Sequence, residues 1–191
     1  QVAALVTDAR SPEFPGTGRR APLVVPRSRR SPAGARAAVL STLNRFGVLE
    51  DAVVPGAQPS PAALPHELAS VDIEGAVDLG LKAPIFLVRE LLGVFLRRGQ
   101  GVLSLVCFSE RRDDEPGPAL DQTVQEGWQG FAAGVLDAYA EKTVSINGFK
   151  AAGVGHEDAA AFIDRSLEEK ARKITGRWFT LQPRGGILGR R

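Results

Sequence analysis

The sequence predicts an α/β protein built on a doubly wound parallel sheet. Three observations carry this expectation. Short runs of continuous apolar residues recur along the chain, as strands buried on both faces require. They alternate with longer segments of helical period, the order that places helices on both faces of a parallel sheet. And the 191 residues suffice for one substantial core. There is no internal repeat, so a single domain over 1–191 is expected.

The first apolar run, residues 1–6, ends in Thr7-Asp8 and reads as a strand. Residues 10–20 hold two prolines and two glycines and read as a loop. A second strand is expected over 21–25. Ser31-Pro32 then gives a helix start, because serine caps the free amides and proline suits the first turn. Val39, Leu40, Leu43 and Phe46 follow at helical spacing, with Gly47 placed to end the helix. Ala52-Val53-Val54 reads as a buried strand, and 55–65 as a proline-rich loop.

A long helical pattern covers 71–98, with Ala76, Val77, Leu81, Val88, Leu91, Leu92 and Phe95 as apolar positions. Pro84 lies inside it and predicts a kink. Residues 102–108 form the densest apolar strand, and 111–118 a charged turn. A second long helix is expected over 122–141, with Trp128, Phe131, Val135 and Tyr139 along one face. A strand over 143–146, a helix over 157–173 and a last strand over 178–181 complete the pattern. Residues 184–191 read as a loose tail.

Composition narrows the function classes. At 43% hydrophobic and 24% charged, the chain is ordinary globular material. The net charge of +2 is too small for a nucleic-acid surface, although the pI is near 9.0. The arginine groups at 19–20, 27–30 and 190–191 lack interleaved aromatics, so no nucleic acid is expected as partner. No run approaches the ~20 apolar residues of a membrane helix, so no membrane either. One cysteine, Cys107, and two distant histidines make no metal site. Cys107 lies in an apolar run and reads as a buried thiol in a reducing, cytoplasmic setting. The chain lacks methionine and opens in an apolar run, so native residues before Gln1 are expected.

From Ser31 onward the chain resembles the short-chain dehydrogenase/reductase family, over roughly four-fifths of its length. The phrases that carry this are Asn44-Arg45-Phe46-Gly47-Val48-Leu49 followed by Val53-Val54, then Leu79-Gly80-Leu81-Lys82-Ala83-Pro84. Gly101-Val102-Leu103, Val144-Ser145-Ile146-Asn147 and Ile174-Thr175-Gly176 follow in the family's order. The resemblance implies a Rossmann-like fold and an oxidoreductase using NAD or NADP. It also implies a homodimer or tetramer formed through the helices near 71–98 and 122–141.

Carried onto this chain, the family's functional positions are largely vacated. The usual asparagine-asparagine-alanine-glycine motif falls on Pro55-Gly56-Ala57-Gln58, and the helix asparagine on Gly80. The catalytic serine falls on Phe108, with Ser109 adjacent. The tyrosine and lysine positions fall on Asp121 and Gln125. In the family the tyrosine moves a proton at the carbinol oxygen, and the lysine lowers its pKa. Gln125 carries no charge to do this, and both residues read most simply as solvated ones. The only tyrosine, Tyr139, lies too far down the helix and reads as core or interface.

The candidates for acid–base work are therefore Ser109, Asp121 and His156, the last in Gly153-Val154-Gly155-His156-Glu157-Asp158 at a helix start. Glu157 and Asp158 are explained there by the helix dipole. Gly16-Thr17-Gly18-Arg19-Arg20-Ala21 matches a dinucleotide pattern only in letters, because no helix start follows the glycines. Two registers remain for the opening strand. It is the fold's first strand with the following helix deleted, or its second strand with the first strand and helix missing, the register we prefer. In the second, Asp8 meets a ribose, or Arg10 favours a 2′-phosphate. Asp8, Arg10, Gly56 and Ala57 are thus the cofactor-binding candidates. The expected function is a non-catalytic binding or scaffold subunit with degenerate sites. The alternative is a divergent NAD(P)-dependent oxidoreductase of a carbonyl or alcohol, its phosphate loop upstream of this chain or missing.

Overall fold

A computed structural model describes residues 3–6, 23–26, 31–56, 63–109, 111 and 117–181. Strands β3 (Asp51–Pro55), β4 (Val102–Ser109), β5 (Ser145–Ala152) and β6 (Arg177–Leu181) form one four-stranded sheet in that order. Every neighbouring pair is parallel. Strands β1 (Ala3–Val6) and β2 (Leu23–Pro26) pair with each other, also in parallel. The expected α/β architecture with a Rossmann-like parallel sheet is what the chain adopts.

Side chains alternate across each strand and feed two cores. On one face Val54, Leu103, Leu105 and Ile146 meet α3 (Ala83–Arg98) through Val88, Leu91, Leu92 and Phe95. They meet α4 (Ala119–Ala138) through Trp128, Ala132, Val135 and Leu136. Helix α1 (Pro32–Phe46) adds Val39 to that core. On the other face Val102, Val106 and Phe149 pack against Ile163, which lies on α5 (His156–Ser166), and against Leu167 and Ala171 just beyond it. The stripe read along α4 is therefore core: Trp128 and Val135 are buried, and Phe131 and Tyr139 pack half-buried against them.

Helix α1 begins as expected, with Ser31 Oγ accepting the Gly34 N–H at 3.1 Å, and ends at Gly47 with φ of 77°. The long helical pattern over 71–98 is three pieces instead. Helix α2 (Ser70–Val77) runs into a π-helical turn, Asp78–Lys82, which leads into α3. The wide turn closes with the Ala83 N–H on the Asp78 carbonyl. It stands just before Pro84, whose ring obstructs the carbonyl of the preceding turn. The second long helix starts at Ala119 and ends at Ala138, earlier at both ends than expected. The helix expected over 157–173 is α5 followed by a second π-helical turn, Leu167–Ala171.

Strand β5 is twice as long as the apolar run suggested, because Gly148 and Lys150 interrupt the pattern. Both have a partner on β6. A Cβ at Gly148 would fall inside the Trp178 ring, and Lys150 Nζ lies 4.8 Å from that ring's centre. The amino end of the sheet is tied by Asn147, wholly buried. Its amide donates to the Ala171 and Ile174 carbonyls at 2.8 and 2.9 Å, and its oxygen accepts the Arg177 N–H at 3.1 Å. Thr175 Oγ1 accepts the Ile146 N–H at 3.0 Å. These contacts give Val144-Ser145-Ile146-Asn147 and Ile174-Thr175-Gly176 a joint structural role.

Candidate functional site

Ligands of open parallel α/β sheets bind in the crevice beyond the carboxyl ends of the strands. Here β3 ends at Pro55, followed by Gly56. The Gly56 N–H donates to the Val106 carbonyl at 3.0 Å, and Trp128 Nε1–H donates to the same carbonyl at 2.9 Å. A Cβ at position 56 would fall within the indole ring. Glycine at 56 and tryptophan at 128 are thus one packing solution: the indole occupies the space, and satisfies the carbonyl, at the end of the β3–β4 ladder.

One strand over, Phe108 packs edge-to-face on His156, with ring centres 4.4 Å apart. His156 is exposed at the start of α5, and Phe108 is half-buried beside the second core. Ser109 closes β4. Its Oγ accepts the Arg111 N–H at 3.2 Å, while the Gly153 N–H reaches the Ser109 and Arg111 carbonyls, each at 3.0 Å. Gly153 has φ of 65°, a conformation that costs a residue with a side chain. Arg111 Nη2 then donates to Asp121 Oδ2 at 3.0 Å.

Asp121 corrects one expectation. It is not a solvated residue before a helix but a buried one in the first turn of α4, its side chain 5% exposed where that of Arg111 is 40% exposed. The turn from 111 was legible as charged, yet nothing in the sequence distinguished Arg111 from its neighbour Arg112. Its importance comes from lying where the strand end and the start of α4 converge. Arg111 brings Ser109 and Asp121 to one partner, whereas His156 is engaged with Phe108 instead. Gln125, one helical turn beyond Asp121, is half-buried, and Gly80 lies buried in the first π-helical turn. Tyr139 caps the end of α4, far from this region in the helix.

Cys107 precedes Phe108 and pairs in register with Lys150. Burial pushes its thiol from 9.0 up to about 12; Lys150 draws it down, and Glu126 adds to the rise. The residue itself is half-buried, less enclosed than the buried thiol its apolar run suggested. Among the described residues no group of three His, Cys, Asp or Glu side chains could hold a metal ion. No described helix is long and apolar enough to cross a membrane. Asp8, Arg10, the glycines of 16–21, Ala57 and the 184–191 tail lie outside the described residues. Of the four cofactor candidates, only Gly56 can be placed. Its one N–H is committed to Val106, so it does not fit the role of phosphate donor.

Solved structures decide the fold. A 3-ketoacyl-(acyl-carrier-protein) reductase from Brucella melitensis, complexed with NADH, superposes with a TM-score of 0.72 at 16% identity, covering 85% of this chain and 78% of that one. The chain has a short-chain dehydrogenase/reductase fold. A 3-ketoacyl-ACP reductase from Sinorhizobium meliloti 1021 gives 0.69 at 14% identity, over 84% of this chain and 78% of its own. Levodione reductase gives 0.61 at 14%, over 79% and 60%. No family model and no curated protein matches the sequence. The fold is held in common at identities that leave the site chemistry free to differ.

Proposed function

We propose that this chain is a non-catalytic binding or scaffold subunit built on the reductase fold. One observation carries the reading: Asp121, standing where the family's tyrosine would, is buried against Arg111 and has Gln125 one turn further on. Arg111 Nη2 holds this carboxylate as a hydrogen-bond acceptor, and Gln125 brings no positive charge to the position of the family's lysine. Phe108, at the serine position, supplies no hydroxyl and is packed on His156. The test is turnover of NADH and NADPH over a panel of carbonyl substrates. No turnover is expected, and robust turnover overturns the reading.

A second reading is favoured by Ser109 and Asp121 both bonding Arg111, one at its backbone and one at its side chain, and by structural neighbours that are all named as reductases. In it the chain is a divergent NAD(P)-dependent oxidoreductase of a carbonyl or alcohol, with Ser109 holding the substrate oxygen and Asp121 acting as base. It requires that any turnover vanish in both Ser109→Ala and Asp121→Asn.

The same proposal takes residues 1–191 as one domain acting in the cytoplasm, and as a homodimer or tetramer. The second core-lining helix α4 and the apolar α2 support the assembly, since Val71 and Ile73 are exposed on a helix that buries no side chain of its own. Sedimentation of the full chain measures it, and a monomer at tens of micromolar would remove it.

A further inference from the structure

We infer that the outer edge of β3 is a contact between two copies of this chain, with the two β3 strands paired antiparallel about a twofold axis at Val53. The inference does not depend on the binding-subunit reading, and it uses a different surface from helices α2 and α4. It starts from the ladder. Strand β3 pairs with β4 on one side, and among the described residues no strand pairs with its other side.

The hydrogen bonds fix which residues face out. Val102 N–H donates to the Glu50 carbonyl, and Gly56 N–H donates to the Val106 carbonyl. Asp51 is in register with Val102, so Glu50, Ala52, Val54 and Gly56 spend their backbone groups on β4. Asp51, Val53 and Pro55 therefore turn theirs to the open edge. That edge offers the N–H groups of Asp51 and Val53 and the carbonyls of all three, because proline has no N–H.

Sheet edges are commonly guarded by charge or by proline. Here Pro55 stands at one end, and at the other the Asp51 carboxylate is taken up by Arg172. The middle is unguarded. Val53 is 46% exposed, although its register partner on the same face, Ser104, is buried, as are Val102 and Val106 to either side of it.

The edge is complementary to itself. A mate turned about an axis perpendicular to the sheet sets Val53 opposite Val53 of the second copy, and the two exchange both hydrogen bonds. Each Asp51 N–H then reaches the Pro55 carbonyl of the other strand. Every outward N–H finds an acceptor, and only the Asp51 carbonyls, at the ends of the new ladder, are left to water. A parallel partner would instead lose a bond inside the ladder, where Pro55 has nothing to donate. The two valines lie side by side and cover each other, while the Asp51 carboxylates stand at opposite ends, so no like charges are directly opposed.

The experiment is amide hydrogen exchange of the full chain, followed by NMR between about ten micromolar and about one millimolar. Asp51 and Val53 are expected to exchange at least tenfold more slowly at the top of this range, with Ala52 and Val54 slow throughout as internal controls. One pair of short strands is small beside the roughly 1,200–2,000 Å² of a stable interface, so the contact is expected to fill only at high concentration. Val53→Pro deletes an outward N–H without touching the ladder to β4, and is expected to abolish the concentration dependence at Asp51. Val53→Lys keeps the backbone but sets like charges across the axis; it is expected to do the same, and it guards against a folding defect in the proline variant. Sedimentation alone would not separate this contact from one through α2 and α4, whereas these two amides do. Fast exchange of Asp51 and Val53 at every concentration, protection that does not vary with concentration, or protection at Asp51 that survives both variants each overturns the inference.

Discussion

The two ends of the sheet are built on different terms. At the amino end, polar groups are consumed by one another: Asn147 satisfies three backbone groups, Thr175 ties β5 to the segment before β6, and Arg172 closes a fork on Asp51. At the carboxyl end, among the described residues, aromatic rings and an ion pair with a buried acid and a half-exposed arginine fill the ground. Trp128 sits against Gly56, Phe108 against His156, and Arg111 reaches out from Asp121. A network that is complete stabilises and does little else. Where a charged group faces outward from a buried partner, the same interaction can also present something to a ligand.

The sharpest way to break this contrast is at the buried groups. Asn147→Ala strands two carbonyls and an amide inside the protein, and about 3–5 kcal/mol of stability is expected to be lost in urea unfolding. Trp128→Ala removes a fully buried ring and one hydrogen bond to Val106, with an expected loss of about 3–5 kcal/mol. A loss below about 1 kcal/mol for either would mean that the end concerned is not held as described.

Smaller effects separate the two ion pairs. Arg172→Ala is expected to cost under about 1 kcal/mol, because both partners are substantially solvated. Arg111→Gln is expected to cost more than Arg172→Ala, since it takes one ion-pair partner from a buried carboxylate, whereas Asp51 is partly solvated. The reverse order in thermal unfolding would contradict the asymmetry on which the carboxyl end is read.

The smallest effect concerns Cys107. Its thiol is raised from 9.0 to about 12 by burial, so the folded state holds the proton more tightly than the unfolded chain. The stability this contributes is fully present below pH 9.0 and is lost as the pH rises toward about 12. Alkylation by iodoacetamide at pH 8 is therefore expected to be slow in the folded protein and fast in urea. Rapid modification of the folded chain would show the thiol to be less enclosed.

Much of the fold was legible because it rests on local signals. Ser31-Pro32 and Gly47 bound α1, the apolar runs located β3 and β4, and the family phrases around Asn147 and Thr175 stood in their proper order. What failed failed for reasons of partnership. Lys150 and Gly148 hid half of β5, since their fit to Trp178 depends on a strand that follows much later. Pro84 gave a kink but not the π-helical turn that absorbs it. Asp121 looked solvated because its partner, Arg111, is one arginine of two in a charged turn.

By itself, then, the sequence determined the class of sheet and the order of its elements, because periodicity, capping and spacing are properties of neighbours along the chain. Only the tertiary structure decided which of their side chains meet. The burial of Asp121, the outward face of Arg111 and the indole over Gly56 are set by segments that meet only when the sheet has closed, and no local pattern encodes such a meeting.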